Sequence, residues 1–400
     1  MDSSGSAYSY GESRLTNKKI LVTGPPLKGR DDYIKQTISS EKGIGYYHIY
    51  DYMVTVAEKF GFPNVTRTNI LNIPQYKLQQ IRSAAFDEID KKLRNSTNKI
   101  ELISTPANFQ VKPGPVAPDG RINGLNENDI TKIDPDLIIV FIADLLEVKK
   151  NLLNDPVWKD RVNPDLKTLA EWRRMTIDSM MEYRERVLAQ KGKVLDIIIF
   201  AKGHDFQTFN DLLIGDKPRI YLSYPITGSQ DESMQKLRQI KNILKNNFVC
   251  IDPYSIKDWG IINAYDNVLR SGKSEIEIPD TDVILQLGEV TEAINEIRAQ
   301  TVERDYKLIE GTHATVVCHI TEDRSYGVMS EMIYTVTRAC NPLYVLYPFR
   351  SRPSPFFEYY ADPDNIIHGD EIESMTKLLS EKMLGDIEKG AWPRKRASVS

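Results

Sequence analysis

The sequence predicts an α/β protein built as two three-layer α/β/α domains with mostly parallel sheets, and three observations carry that expectation. Mostly apolar runs of strand length recur at 137–142, 194–200, 248–251, 314–320 and 343–347, the pattern of parallel strands buried on both faces. Between them lie segments with helical spacing, such as Met234, Leu237, Ile240, Ile243 and Leu244, or Ile294, Ile297, Thr301 and Leu308. Alternating strands and helices imply parallel sheets with helices on both sides. Finally, 400 residues suffice for two domains that each bury a core.

Taken in order, residues 1–18 are polar and rich in Ser, Gly and Tyr, and a disordered tail is expected there. Residues 18–32 read as a strand, a Gly/Pro-rich loop and the start of a helix. The stretch 151–186 is charged and helix-prone, with a turn at Asn163 and Pro164 and a helix from about Asp165. Its Arg161, Arg173 and Arg174 suit either phosphate clamps or a solvated helix face, the second being the plainer reading. His204, alone at a strand end, reads as structural. Turn residues Gly215, Asp216, Lys217 and Pro218 close a first domain at 19–215 and open a second at 216–390.

The second domain begins with a strand ending at Tyr224 and Pro225, a helix capped by Ser233 and a strand returning to Asp252 and Pro253. Residues 254–279 show no pattern and read as a lid or binding loop. One helix covers 289–309, with Asp305 near its end; a buried strand, a polar loop and a helix opening at Gly327 follow. The aromatic segment 356–360 suits core filling, a pocket cover or an oligomer contact. A last amphipathic helix lies within 370–390, with Ile372, Met375, Leu378, Leu379, Met383 and Leu384 facing inward. Arg394, Lys395 and Arg396 make 391–400 a short, solvated basic tail.

A net charge of −4 gives no reason to expect nucleic acid as a partner. Cys250, Cys318 and Cys340 form no C-x-x-C pair, and two of them sit in apolar runs; buried thiols in a reducing cytoplasm are expected. No apolar run is long enough to cross a membrane. No His/Cys/Asp cluster has metal-ligand spacing, so no catalytic metal is expected.

The loop after the first strand keeps the glycine frame of a phosphate-binding loop, G-x-x-x-x-G-K-[ST], as Gly24 and Gly29. Arg30 replaces its Lys and Asp31 its Ser or Thr, while Lys28 lies inside the frame. His48, Asp51, Met53 and Ala57, then Gln79, Gln80 and Ala84, then Ser104 and Thr105, then Pro135, Asp136 and Ala143, resemble in order the motifs of an archaeal-type adenylate kinase over residues 19–213. The resemblance implies a P-loop kinase-like domain that binds ATP or another nucleotide with Mg²⁺, through Gly24, Lys28, Gly29 and Arg30. Loss of the loop Lys and Ser/Thr points to nucleotide binding without phosphoryl transfer.

Residues 304–337 carry the most pointed signal: Arg304 and Asp305 on a helix, a strand, then Ser325, Gly327 and Glu331 opening a helix. A carboxylate there lies at the carboxyl end of a strand, where open α/β sheets bind ligands. With Tyr221, Tyr224, Pro225 and Gly228 upstream, this resembles the nucleoside 2-deoxyribosyltransferase superfamily, and most of all its deoxynucleotide N-glycosidase branch. The resemblance implies that Glu331 is a nucleophile attacking C1′ of the sugar, that Asp305 assists and that Tyr221 positions sugar and carboxylate. Such chemistry suits carboxylates, since bond cleavage passes through an oxocarbenium-like state and the leaving base needs a proton. Against these roles stand plain ones: a helix-end Asp305 paired with Arg304, a Glu331 favoured by the helix dipole, and a core Tyr221.

Ser325, Gly327, Thr227, Gly228 and Ser229 are the expected substrate-binding residues, although the arginine by which the monophosphate-hydrolysing branch grips the 5′-phosphate has no counterpart. His313 is read as a structural substitution. Three functions follow: N-glycosidase or deoxyribosyltransferase action on a nucleoside or nucleotide; a nucleotide sensor without chemistry; or an NAD glycohydrolase. The resemblance also implies a homo-oligomer.

Overall fold

The computed structural model describes residues 17–25, 28–114, 117–226, 231–279, 281–321 and 325–392, residue 28 by its backbone alone. The expected tails fall almost wholly outside these residues, as do Thr227, Gly228, Ser229 and the Lys28 side chain.

The first unit runs β1 (Lys18–Thr23), α1 (Lys28–Ser40), β2 (Ile44–His48), α2 (Ile49–Ala57), α3 (Gln75–Arg94), β3 (Ile100–Ser104), β4 (Asn108–Gln110), β5 (Arg121–Asn123), α4 (Glu127–Ile133), β6 (Leu137–Ile142), α5 (Leu145–Asn154), α6 (Leu166–Lys191), β7 (Asp196–Ala201) and α7 (Phe206–Ile214). Its five-stranded sheet has the order β2-β3-β1-β6-β7 and is parallel throughout. β6 is buried at every position, as a strand covered by helices on both faces must be.

The second unit runs β8 (Arg219–Ser223), α8 (Asp231–Leu244), β9 (Val249–Ile251), α9 (Trp259–Ser271), β10 (Glu275–Glu277), β11 (Ile284–Gln286), α10 (Leu287–Glu310), β12 (Ala314–Cys318), α11 (Tyr326–Tyr334), β13 (Leu343–Tyr347), α12 (Pro355–Tyr360), β14 (Ile366–His368) and α13 (Ile372–Glu388). Its sheet, β14-β13-β12-β8-β9, is also parallel. Counted within the unit this is the doubly wound order 2-1-3-4-5, whose direction reverses between β8 and β12. The crevice at that reversal is the ligand-binding address of such sheets, and the loops of both strands lead into it.

Two parallel five-stranded sheets flanked by helices are therefore the architecture. The units share one core: buried residues run unbroken from the first sheet through α6 and α10 to Tyr221, Val249 and Ile251. Separate clusters fill the α8/α13 side of the second sheet and the space beneath α11 and α12.

Several expectations need correction. Residues 254–279 are not an irregular lid, because α9 occupies 259–271 and buries Ile261, Ala264, Tyr265 and Val268. That spacing is helical, but the helix lacks a start signal: the Asp258 side chain at its cap position does not cap it and is bonded elsewhere. Ser233 lies buried inside α8, which starts at Asp231, rather than capping it. Leu378 on α13 is 53% exposed, so the inward face is narrower than expected. Of the segment 356–360, Phe357 fills core while Phe356 and Tyr359 are exposed. Trp392 belongs to the packed body, since its indole donates to the Tyr344 hydroxyl at 2.8 Å and stacks on Phe248.

Candidate functional site

β8 alternates its side chains, so Tyr221 and Ser223 point to the same face of the sheet. Next to β8 is β12, and the chain leaving β12 returns as α11, which carries Glu331 in its second turn. Ser325 caps α11, its hydroxyl oxygen accepting the Val328 N–H at 3.3 Å. This cap sets the angle at which α11 enters, and it uses one lone pair of a residue expected to bind substrate. Gly327, in the first turn of α11, has no close neighbour that would forbid a side chain.

Glu331 is buried, and both its oxygens are held: the Tyr221 hydroxyl donates to Oε1 at 2.8 Å and the Ser223 hydroxyl donates to Oε2. Burial pushes its carboxyl up to about 8, with the charge of Asp305 adding to the rise. Donation from Ser223 and Tyr221, and the Arg304 charge, oppose the shift without cancelling it. Asp305 is raised as well, by burial first and by Asp252, against the pull of Arg304. Arg304 donates to one oxygen of Asp305 through Nε at 2.9 Å and Nη2 at 2.8 Å. The Asp305–Arg304 pair was the plain alternative for this residue, but the pair is buried rather than exposed. Tyr221 is fully buried and its hydroxyl is held neutral by burial and by the two carboxylates.

Tyr221 is thus hydrogen-bonded to Glu331, and the charge of Asp305 acts on both. Two further groups had not been singled out. Ser223 sits two residues beyond Tyr221, a spacing that strand alternation could have flagged. Asp252, at the end of β9, accepts from the Tyr224 hydroxyl, from Lys241 at 2.6 Å and from the Tyr254 N–H at 2.9 Å. Burial opposes its charge, but these donors outweigh burial and keep its carboxyl below the usual range. His204 accepts the Asp252 N–H at 2.9 Å, and burial drives it down to about 4, a neutral structural imidazole as expected. His313 accepts the Arg219 N–H at 2.9 Å and is structural too.

The mouth of the first sheet is different. Gly24 has φ +146°, and a Cβ there would lie 2.2 Å from the Phe141 carbonyl oxygen, so the loop keeps its glycine for backbone reasons. Arg30 is 2% exposed and folds back, Nη1 donating to the Gly24 carbonyl at 3.2 Å and Nε to Asp31 at 3.2 Å. Gly29 packs against the stem of Lys202, which is paired with Glu147. The second unit also covers this mouth: a Cβ on Gly203 would meet the Ser255 carbonyl oxygen at 2.1 Å. The Lys257 N–H donates to Asp144 at 2.6 Å and the Leu145 N–H to Asp258 at 2.9 Å. Of the arginines on the charged stretch, Arg173 is buried rather than solvated, while Arg161 and Arg174 stay partly exposed. Arg161 donates to the Thr68 carbonyl, while Arg173 and Arg174 bridge to the second unit at Asp258, Gln300, Glu296 and Glu303.

Among the described residues no helix is long and apolar enough to cross a membrane, and no group of three or more His, Cys, Asp or Glu is placed to hold a metal ion. No protein-family model matches the chain, and no curated protein does. Among solved structures the chain is similar to the tunicamycin resistance protein of Deinococcus radiodurans. The match has 13% identity and a TM-score of 0.28, and covers 49% of this chain and 93% of that one. A likeness of that strength carries no argument about function.

Proposed function

We propose that the chain breaks the N-glycosidic bond of a nucleoside or nucleotide, by hydrolysis or base transfer, with Glu331 as nucleophile. One observation carries this reading: a buried carboxylate at the topological switch of the second sheet, gripped by two hydroxyls and facing a second buried carboxylate. Burying two acids side by side disfavours their joint ionisation, and both carboxyls are raised. The reaction runs in the microstate that has the proton on Asp305 and Glu331 ionised.

In the first step the bond between C1′ and the base nitrogen breaks while C1′ bonds to a Glu331 oxygen, and Asp305 delivers the proton to the departing base. In the second, water or another base attacks C1′, Glu331 leaves as carboxylate, and the proton returns to Asp305. Tyr221 and Ser223 hold the carboxylate plane throughout. The reading needs no metal or cofactor, and its substrate is a small nucleoside, a nucleotide or NAD. A homo-oligomer remains part of the proposal.

The test is release of free base, followed by chromatography, from a panel of nucleosides, their monophosphates and NAD. Release that Glu331→Gln abolishes supports the reading; silence across the panel rejects it. A second reading, a nucleotide-binding protein without chemistry, draws on the sequence resemblance of the first unit to a P-loop kinase and on its glycine frame. The inward fold of Arg30 weighs against it, and calorimetry with ATP and Mg²⁺ decides.

A further inference from the structure

Arg173 belongs to α6 of the first unit, yet its partners lie largely in the second. The buried guanidinium donates from Nη1 to Asp258 at 2.6 Å and to the Ala143 carbonyl at 3.3 Å, and from Nε to Gln300 at 2.8 Å. Gln300 in turn donates to the Ala170 carbonyl at 2.6 Å, one turn before Arg304 on α10. Asp258 is 1% exposed and also faces Arg304 electrostatically. Arg304 therefore answers to two buried carboxylates: it is paired with Asp305 and also feels the charge of Asp258.

We infer that Arg173 is a positioning residue for the candidate site: by satisfying Asp258 it leaves Arg304 to Asp305, so the first unit sets the state of the carboxylate pair in the second. The inference rests on the reading above for its consequence in turnover, but the link itself is a matter of charge and geometry. The groups that face Asp305 are Arg304 beside it on α10, Asp252 from the end of β9, and Glu331 and Tyr221 from α11 and β8. Arg304 supplies the cationic partner among them. Without Arg173 the Asp258 carboxylate loses its guanidinium partner, and its attraction for Arg304 draws Arg304 off Asp305. Withdrawing a cation from two coupled acids raises both of their apparent pKa values.

The experiment follows the Glu331 carboxyl carbon by NMR against pH in full-length protein, its signal assigned by its loss in Glu331→Gln. Arg173→Met moves the Glu331 titration to higher pH by about half a unit or more, and Arg173→Lys, which keeps the charge, recovers most of the difference. Asp258→Asn reads the same link from the other side, because the buried Arg173 guanidinium then lacks its carboxylate and adds uncompensated positive charge beside α10, so the titration moves to lower pH. Where Arg173→Met does not fold, Asp258→Asn and the Arg173→Met/Asp258→Asn pair, which leaves no unpaired buried charge, decide; the double variant titrates close to the native protein. A Glu331 titration unmoved in Asp258→Asn, or unmoved in folded Arg173→Met, overturns the inference. Because this readout needs no turnover, absence of base release by the native protein sinks the reaction and leaves the link to be judged separately. If base is released, both limbs of the kcat/KM profile follow the same shifts.

Discussion

The mouths of the two sheets are built from similar materials and end in opposite states. Each is the carboxyl end of a parallel sheet, with loops and helix N-termini facing it and charged side chains nearby. In the first, most charges find opposite partners, Arg30 on Asp31, Lys202 on Glu147 and Asp258 on Arg173, and Asp144, raised by burial and by Asp258, accepts the Lys257 N–H. In the second, two acids are buried with fewer cations than charges, and both are pushed up. A fold with the right topology is thus not sufficient for a site; what marks one is polarity left uncompensated where compensation would have been easy.

The largest expected effect sharpens that contrast on the second mouth. Asp305→Asn keeps the shape but removes the proton donor, so base release falls by roughly 10²–10⁴-fold, most steeply for substrates whose base leaves poorly, while the Michaelis constant changes little. A fall confined to the Michaelis constant would mean that Asp305 binds substrate rather than delivering a proton. Next come the hydroxyls on Glu331. Tyr221→Phe and Ser223→Ala each remove a donor that opposes the upward shift, so the acid limb moves further up in pH, with a loss at neutral pH of about tenfold for a net hydrogen bond of roughly 1.5 kcal/mol to a charged group. Measured profiles whose acid limb stays in place would remove Ser223 from the site.

Stability gives a third comparison. Glu331 has a folded pKa near 8 against about 4.5 unfolded. Its contribution is therefore fully present below the unfolded value and lost as pH rises through the folded one. Glu331→Gln cannot ionise, so the variant is more stable than the native protein above pH 8 and melts at a higher Tm at pH 9, with the advantage vanishing near pH 4. Equal melting curves at pH 9 would break the contrast between compensated and strained mouths. The smallest effect concerns the first mouth: ATP with Mg²⁺ produces no measurable heat in calorimetry at micromolar protein, whereas tight binding would show that Arg30 opens and that the first unit retains a ligand.

Much of this was legible in the chain because the signals were local. The runs at 137–142 and 343–347 are buried strands, α10 follows its apolar spacing, and Glu331 occupies the strand-to-helix address that the sequence assigns it. What was missed depends on partners distant in sequence. Arg173 looks like any charge on a helix until α10 is laid against α6, at which point Gln300 and Asp258 become its partners. α9 has a readable apolar spacing in Ile261, Ala264, Tyr265 and Val268, but that Asp258 serves Arg173 and the N-terminus of α5 instead of capping it depends on the first unit. Ser223 carries no spacing of its own, and its role appears only when β8 and β12 pair and bring α11 over the strand.

The central claim is that Glu331 forms a bond to the sugar, and mass spectrometry of protein quenched during turnover tests it most directly. A pentosyl adduct on the peptide containing Glu331, absent in Glu331→Gln together with base release, is the predicted result. Base release that persists undiminished in Glu331→Gln, or an adduct on a different peptide, would contradict it.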